Sequence, residues 1–74
     1  MQIAPTDTIE YTDLGFIYSV RKDYQKSIKS YTEAIKLDPS NTRAYNNRAY
    51  AYRMVEKKEL ANADSNSLVK LQLK

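Results

Sequence analysis

Aromatic, small and apolar residues recur along this chain at one fixed spacing. Tyr11 and Tyr45, Gly15 and Ala49, Tyr18 and Tyr52, Ser27 and Ala61, Ala34 and Leu68, and Leu37 and Leu71 all stand 34 positions apart. A period of this length is the mark of a supersecondary unit used more than once, each copy burying its apolar side against the next. The chain has 74 residues, so the unit fits twice. One glycine and two prolines leave little of the punctuation that β-hairpins need. Apolar residues at helical spacing then define an all-α chain of four helices. Tyr11, Leu14, Gly15 and Tyr18 mark the inner face of the first. Tyr24, Ile28, Tyr31 and Ile35 mark the second, and Tyr45, Ala49 and Tyr52 the third. Leu60, Ala61, Leu68 and Leu71 mark the fourth.

Local signals bound the first three helices. Asp7 with Glu10 three residues on forms a capping-box pattern, and Asp23 is a second cap. Pro39 stops the second helix, and Asn41 or Thr42 caps the third.

A large aromatic, then Leu-Gly, then Tyr, then small residues and a closing Pro make up the pattern of the tetratricopeptide repeat, which this chain resembles. Tyr11, Leu14-Gly15, Tyr18, Tyr24 and the run "YTEAIKLDPSN" from Tyr31 to Asn41 carry the likeness. It implies a lead-in over residues 1–7 and repeats over 8–41 and 42–74. Together they would form two tandem helix-turn-helix units, a fragment of an α-solenoid. The second unit departs from the pattern at Arg48, Lys58, Ser65, Leu68 and Leu73. Without a ring at Ser65, a looser last helix is expected.

Catalysis finds no foothold in this composition. There is no histidine and no cysteine, so the usual proton shuttles, nucleophilic thiols, thiolate metal sites and disulfides are all missing. Asp7, Glu10 and Asp13 could be taken for hard-metal ligands, but carboxylates at a helix start serve the dipole and the free amides. The chain therefore reads as a non-enzyme with no cofactor and no metal. A cysteine-free chain suits a reducing, cytoplasmic setting. No apolar run is long enough for a membrane span, and no signal peptide is evident.

The net charge is +3, but residues 1–20 carry three carboxylates and no Lys or Arg, which leaves +6 on the rest. That bias attracts acidic partners or nucleic acid. Lys22, Lys26, Lys29 and Lys36 form a basic strip on the second helix, which a solvated convex face explains better than phosphate binding. Single-stranded RNA binding by a related helical repeat is the alternative, but the ending "AIKLDPSN" favours the protein-binding type.

The six tyrosines on the repeat positions are expected to be core, and Tyr50 stands off that stripe. By the resemblance, one face of each first helix lines a concave groove for a peptide or protein segment, acidic or extended. Thr12 and Phe16, with Ile9 and Ser19 beside them, would supply it from the first unit. Arg43, Asn46, Asn47, Tyr50 and Arg53 would supply it from the second. "YNNRAYAY" is similar to a carboxylate-clamping segment of co-chaperone repeats, with Asn47 at the clamp asparagine. Thr12 and Phe16 do not suit a complete clamp. Finally, Leu68, Val69, Leu71 and Leu73 form a candidate self-association patch through the C-terminal helix. A homodimer, or a structural role within a longer array, would use it.

Overall fold

The computed structural model describes residues 6–73. These form four helices, α1 Thr8–Val20, α2 Tyr24–Leu37, α3 Thr42–Met54 and α4 Lys58–Gln72. α1 packs on α2 and α3 on α4, each as an antiparallel pair, while α2 and α3 join the pairs and α1 also touches α3. Two stacked helix-turn-helix units result, as the 34-residue period requires.

Side-chain caps start three of the helices. Asp7 accepts the Glu10 N–H at 2.8 Å, Asp23 that of Lys26 at 3.3 Å, and Asn41 that of Ala44 at 3.0 Å. The capping box is displaced by one residue, because the Glu10 carboxylate accepts from the N–H and hydroxyl of Thr6, both at 3.3 Å. α4 has Lys57 at its cap and no side-chain cap bond there.

The turns inside the two units share a device that no glycine announces. Lys22 and Glu56 both adopt left-handed backbone, φ 64° and 62°. At each, two amides reach back to the helix end: Lys22 to Ser19 and Asp23 to Tyr18, then Glu56 to Arg53 and Lys57 to Tyr52. This is a Schellman closure, and with a side chain present it costs on the order of 1 kcal/mol.

Between the units, Asn41 ties α3 to α1, and through Thr8 to α2. Its carbonyl caps α3, and its amide donates to the hydroxyls of Thr8 at 2.7 Å and Thr12 at 2.9 Å. Thr8 passes its own proton to the Ala34 carbonyl of α2 at 2.8 Å. Pro39 stops α2, and the Asp38 carboxylate accepts from the Ser40 N–H and hydroxyl. Those two bonds hold Asp38 below the ordinary carboxylate pKa.

Small residues rather than rings make up most of the core. Ala34, Ala44, Ala49, Ala51 and Ala61 are buried, with Thr12, Gly15, Ser27 and Ser30. Tyr31 is the one tyrosine that is fully buried; Tyr11, Tyr18, Tyr24, Tyr45 and Tyr52 are half-buried. Rings between helices with their hydroxyls reaching the surface, as expected for all six, suit the five half-buried tyrosines, while Tyr31 is enclosed entirely. In a slab of two stacked helix pairs, the inner contact lines admit only small side chains, and rings cover the seams beside them. Leu60, expected among the core marks of α4, is exposed because Ala61 and Asp64 take the inward positions. Gly15 shows how close the approach is: a Cβ there would lie 2.5–2.9 Å from three carbons of the Tyr31 ring.

The second unit solves the same packing differently. Arg48 stands where the first unit has Leu14, and Asp64 where it has Ser30. Arg48 binds Asp64 through Nε at 2.8 Å and Nη2 at 2.6 Å, and Nη1 donates to Thr32 of α2 at 3.0 Å. The guanidinium is flanked by the rings of Tyr45 and Tyr52, at 5.7 and 5.5 Å. Its hydrogen bonds to Asp64 raise the Arg48 pKa further. The spacing of the repeat gave no sign of this pair, because the Leu place and the Ser place are 16 residues apart and nothing local links them.

Two stability predictions follow from the differences between the units. Lys57→Asp restores the first unit's cap residue and is expected to raise stability by about 1 kcal/mol in thermal or urea melts. Asp64→Ala leaves the mostly covered Arg48 guanidinium without its carboxylate and is expected to cost about 3 kcal/mol, whereas Arg48→Leu with Asp64→Ser, the first unit's own pair, is expected to be near neutral or stabilising.

Candidate functional site

Helical geometry places two matching stripes side by side. On α1, Ile9, Asp13, Phe16 and Val20 follow one another at steps of four, three and four residues. On α3, Arg43, Asn47, Tyr50 and Met54 do the same. Each residue of one stripe has its 34-residue counterpart in the other. Arg43 and Asp13 bridge the stripes by an ion pair at 3.0 Å. Both members are more than half exposed, so the pair is worth about 0–1 kcal/mol and serves to mark which faces adjoin.

The chemistry changes along the stripes. Near the helix starts it is mixed, with the exposed Ile9 beside Asp13, Arg43 and the half-buried Asn47. Near the helix ends it is apolar, and Phe16, Val20, Tyr50 and Met54 are 51%, 66%, 51% and 48% exposed. Tyr24, at the start of α2, supports this end by packing edge to face on Tyr50, ring centroids 6.3 Å apart at 67°. Burial first, and the neighbouring Tyr50 hydroxyl second, push the Tyr24 phenol above its usual pKa of 10.0.

Of the groove residues expected from the sequence, Phe16, Arg43, Asn47 and Tyr50 lie on these stripes. Three others do not. Thr12 is buried, with its hydroxyl donating to the Thr8 carbonyl and accepting from Asn41, so it has no surface to offer a ligand. Asn46 lines a shallow depression with Thr42, Arg43, Leu68 and Gln72 between α3 and α4, and Arg53 donates to Ser65 of α4 at 3.2 Å. Ser19 likewise faces α2, 2.6 Å from Ser27. The physical reason is a slip in helical phase. Thr12, Ser19, Asn46 and Arg53 each precede a stripe residue by one position, a turn of about 100° around the helix. Asp13, Val20 and Met54 share the helical phase of Phe16 and Tyr50, and the rotation of the helices against their neighbours brings them onto this face.

Elsewhere, the carboxylates of Asp7, Glu10 and Asp13 are engaged with backbone, Thr6 and Arg43. Lys26 and Lys36 on the outer face of α2 pair with Asp23 and Glu33. In the proposed self-association patch, Leu68 and Leu71 are half-buried, while Val69 and Leu73 are 53% and 80% exposed. No helix of the described residues is long and apolar enough to cross a membrane.

Stacked helix pairs with one continuous face of first helices define a helical-repeat scaffold. Comparison with known proteins agrees: a family model described as TPR repeat matches residues 15–54. Human serine/threonine-protein phosphatase 5 is 40% identical over 57 residues, which is 77% of this chain and 11% of that protein. Tetratricopeptide repeat protein 36 of Caenorhabditis elegans is 38% identical over 63 residues, 85% of this chain and 34% of that protein. The STIP1 homolog of Dictyostelium discoideum is 33% identical over 63 residues, 85% and 11%. The chain belongs to the tetratricopeptide repeat family, and it spans between 11% and 34% of the length of these relatives. It is thus a repeat module of the kind that mediates protein–protein interaction.

Because the Tyr24 phenol is raised, folding loses stability as pH rises from the unfolded phenol's value through the folded one; below about 10 the contribution is intact. In an alkaline absorbance titration, Tyr24→Phe is expected to remove a late-titrating phenol, and Tyr50→Phe to bring the Tyr24 transition to lower pH.

Proposed function

We propose that this chain is a non-catalytic module that holds a peptide or protein segment along the concave face of α1 and α3. The observation that carries the reading is the double stripe itself, where four large apolar side chains stand about half exposed on one face beside an ion-paired end. Exposed apolar surface gathered on one face marks interaction sites more often than chance scatter does. A stack of short helices presents that face without reordering, so little conformational entropy is lost on binding. Asn47 contributes an amide able to accept and donate, and Phe16 and Tyr50 contribute flat anchors.

An acidic or extended ligand held mainly by Arg43 and Arg53 draws less support. Arg43 is shared with Asp13, and Arg53 leans on Ser65. A self-associating role for the exposed part of α4 is a separate reading that a sedimentation series would decide.

The test is to select peptides on the purified chain from a random display library and titrate one into the isotope-labelled protein. Amide shifts are expected to cluster on α1 and α3, and Tyr50→Ala is expected to weaken binding by about 1–3 kcal/mol with the melting curve little changed. Shifts confined to the outer face of α2 or to α4 would show that the groove is not the site.

A further inference from the structure

Beside the groove face, α1 carries a second stripe, and we infer that it is a self-pairing surface. Along Glu10, Leu14, Ile17 and Arg21, α1 packs antiparallel on α1 of a second copy of this chain, and the two copies form a closed two-fold dimer.

Helical phase defines the stripe. Its residues follow one another at steps of four, three and four, the spacing that keeps one face of a helix turned toward a neighbouring helix. Arg21 is the C-cap of α1 with right-handed helical backbone, so it stays in phase with the rest. Glu10 and Arg21 are exposed, Ile17 is 49% exposed and Leu14 is half-buried. Ile17 stands about 100° round the helix from Phe16, so the stripe is separate from the groove face.

The second unit shows what lies on this face when it is covered. Thirty-four residues on, the counterparts are Ala44, Arg48, Ala51 and Val55 of α3. There α2 is the cover: Ala44 and Ala51 are fully buried, Arg48 donates to Thr32, and Ile35 packs beside Ala44. The short segment 38–41 joins α2 to α3, and the two run antiparallel. An antiparallel helix on this face is therefore already part of the fold. On α1, Leu14 and Ile17 occupy the places of Arg48 and Ala51, and among the described helices only α2 and α3 touch α1.

Self-complementarity names the occupant. When one copy of the stripe is turned end for end, Leu14 meets Ile17 and Glu10 meets Arg21, each pair twice, because both pairs are centred on the same point between Gly15 and Phe16. A parallel pairing would set Glu10 on Glu10 and Arg21 on Arg21, which charge repulsion opposes. The neighbouring charges agree with the antiparallel sense. Asp7 stands at the Glu10 end and Lys22 at the Arg21 end. Asp13 is held by Arg43, Lys26 by Asp23 and Glu33 by Lys36, while Lys29 borders the middle of the stripe.

Head-to-tail stacking of copies fits less well. It would lay α4 on this stripe as α2 lies on α3, and α4 carries Asn62 and Asn66 where α2 has Ile28 and Thr32. Amides would then be pressed on Leu14 and Ile17, at the cost of burying polar groups without partners. A seam of one helix pair is small beside the roughly 1,200 Å² that stable interfaces bury, so the dimer is weak and forms with concentration.

Sedimentation equilibrium of the purified chain over a concentration series tests this. The mass is expected to rise from 8.6 kDa toward twice that value and to stop there, as a closed pair requires. Glu10→Lys and Arg21→Glu are each expected to weaken the dimer at least tenfold, since like charges then meet. An equimolar mixture of the two variants is expected to regain it, because each supplies the charge the other lacks, and a folding defect would not be rescued by mixing. Ile17→Thr is expected to weaken pairing at least fivefold with the thermal melt little changed. A strict monomer up to near-millimolar concentration overturns the inference and leaves the stripe to a foreign helix. A mass that keeps growing with concentration overturns it in favour of stacked copies. A dimer indifferent to the charge changes but dissolved by Val69→Lys with Leu73→Lys overturns it in favour of α4, and failure of the mixture to pair overturns the antiparallel register.

Discussion

The closeness of the helices rests on one contact. The ring of Tyr31 lies where any side chain on residue 15 would have to be, so α1 and α2 approach to the distance that only glycine permits. From that approach follow the burial of Ser27, Ser30 and Ala34, the shortness of the side chains along the contact lines, and the displacement of the other rings to the seams. The Asn41 amide then adds the direction of the stack, since it reaches both Thr8 and Thr12 while capping α3. A half-buried asparagine with every polar neighbour satisfied holds one arrangement and penalises its alternatives. Among the described residues no buried side-chain polar atom lacks a partner.

The second unit keeps the plan and changes the means. Ala49 replaces Gly15 and Ser65 replaces Tyr31, so a methyl is gained where a ring is lost. Arg48 lays a large planar group between Tyr45 and Tyr52, joins α3 to α4 through Asp64 and reaches back to Thr32 in the first unit. A pair of this kind adds little net stability over an apolar isostere, but it is intolerant of losing one partner. Its bidentate bond fixes α4 against α3, and the single bond to Thr32 links that pair to the first unit.

The site is a by-product of this packing. Once α1 and α3 are brought to lie alongside each other, residues that serve neither the core nor the seams come to share one face. That face turns from an ion pair at the helix starts to an apolar quartet at the helix ends. The tyrosine that supports it, Tyr24, belongs to α2, so this face depends on the turn at Lys22 as much as on the helices that carry it.

The residues alone determined the helix count, the 34-residue unit, the caps at Asp7, Asp23 and Asn41, the stop at Pro39 and the family. All of these depend on spacings within a few turns of chain or on a repeat that can be counted. Phe16, Asn47 and Tyr50 were legible for the same reason, as residues off the apolar stripe of their own helix. Only the tertiary structure decided that Thr12 is interior, that Asp13 takes up Arg43, that Arg48 and Asp64 are partners, and that Val20 and Met54 complete the quartet. Each of those outcomes turns on how a helix is rotated against its neighbour. A rotation of about 100° exchanges Thr12 for Asp13 and Arg53 for Met54, and that angle is set by the Gly15–Tyr31 contact and the Asn41 hydrogen bonds rather than by either helix alone.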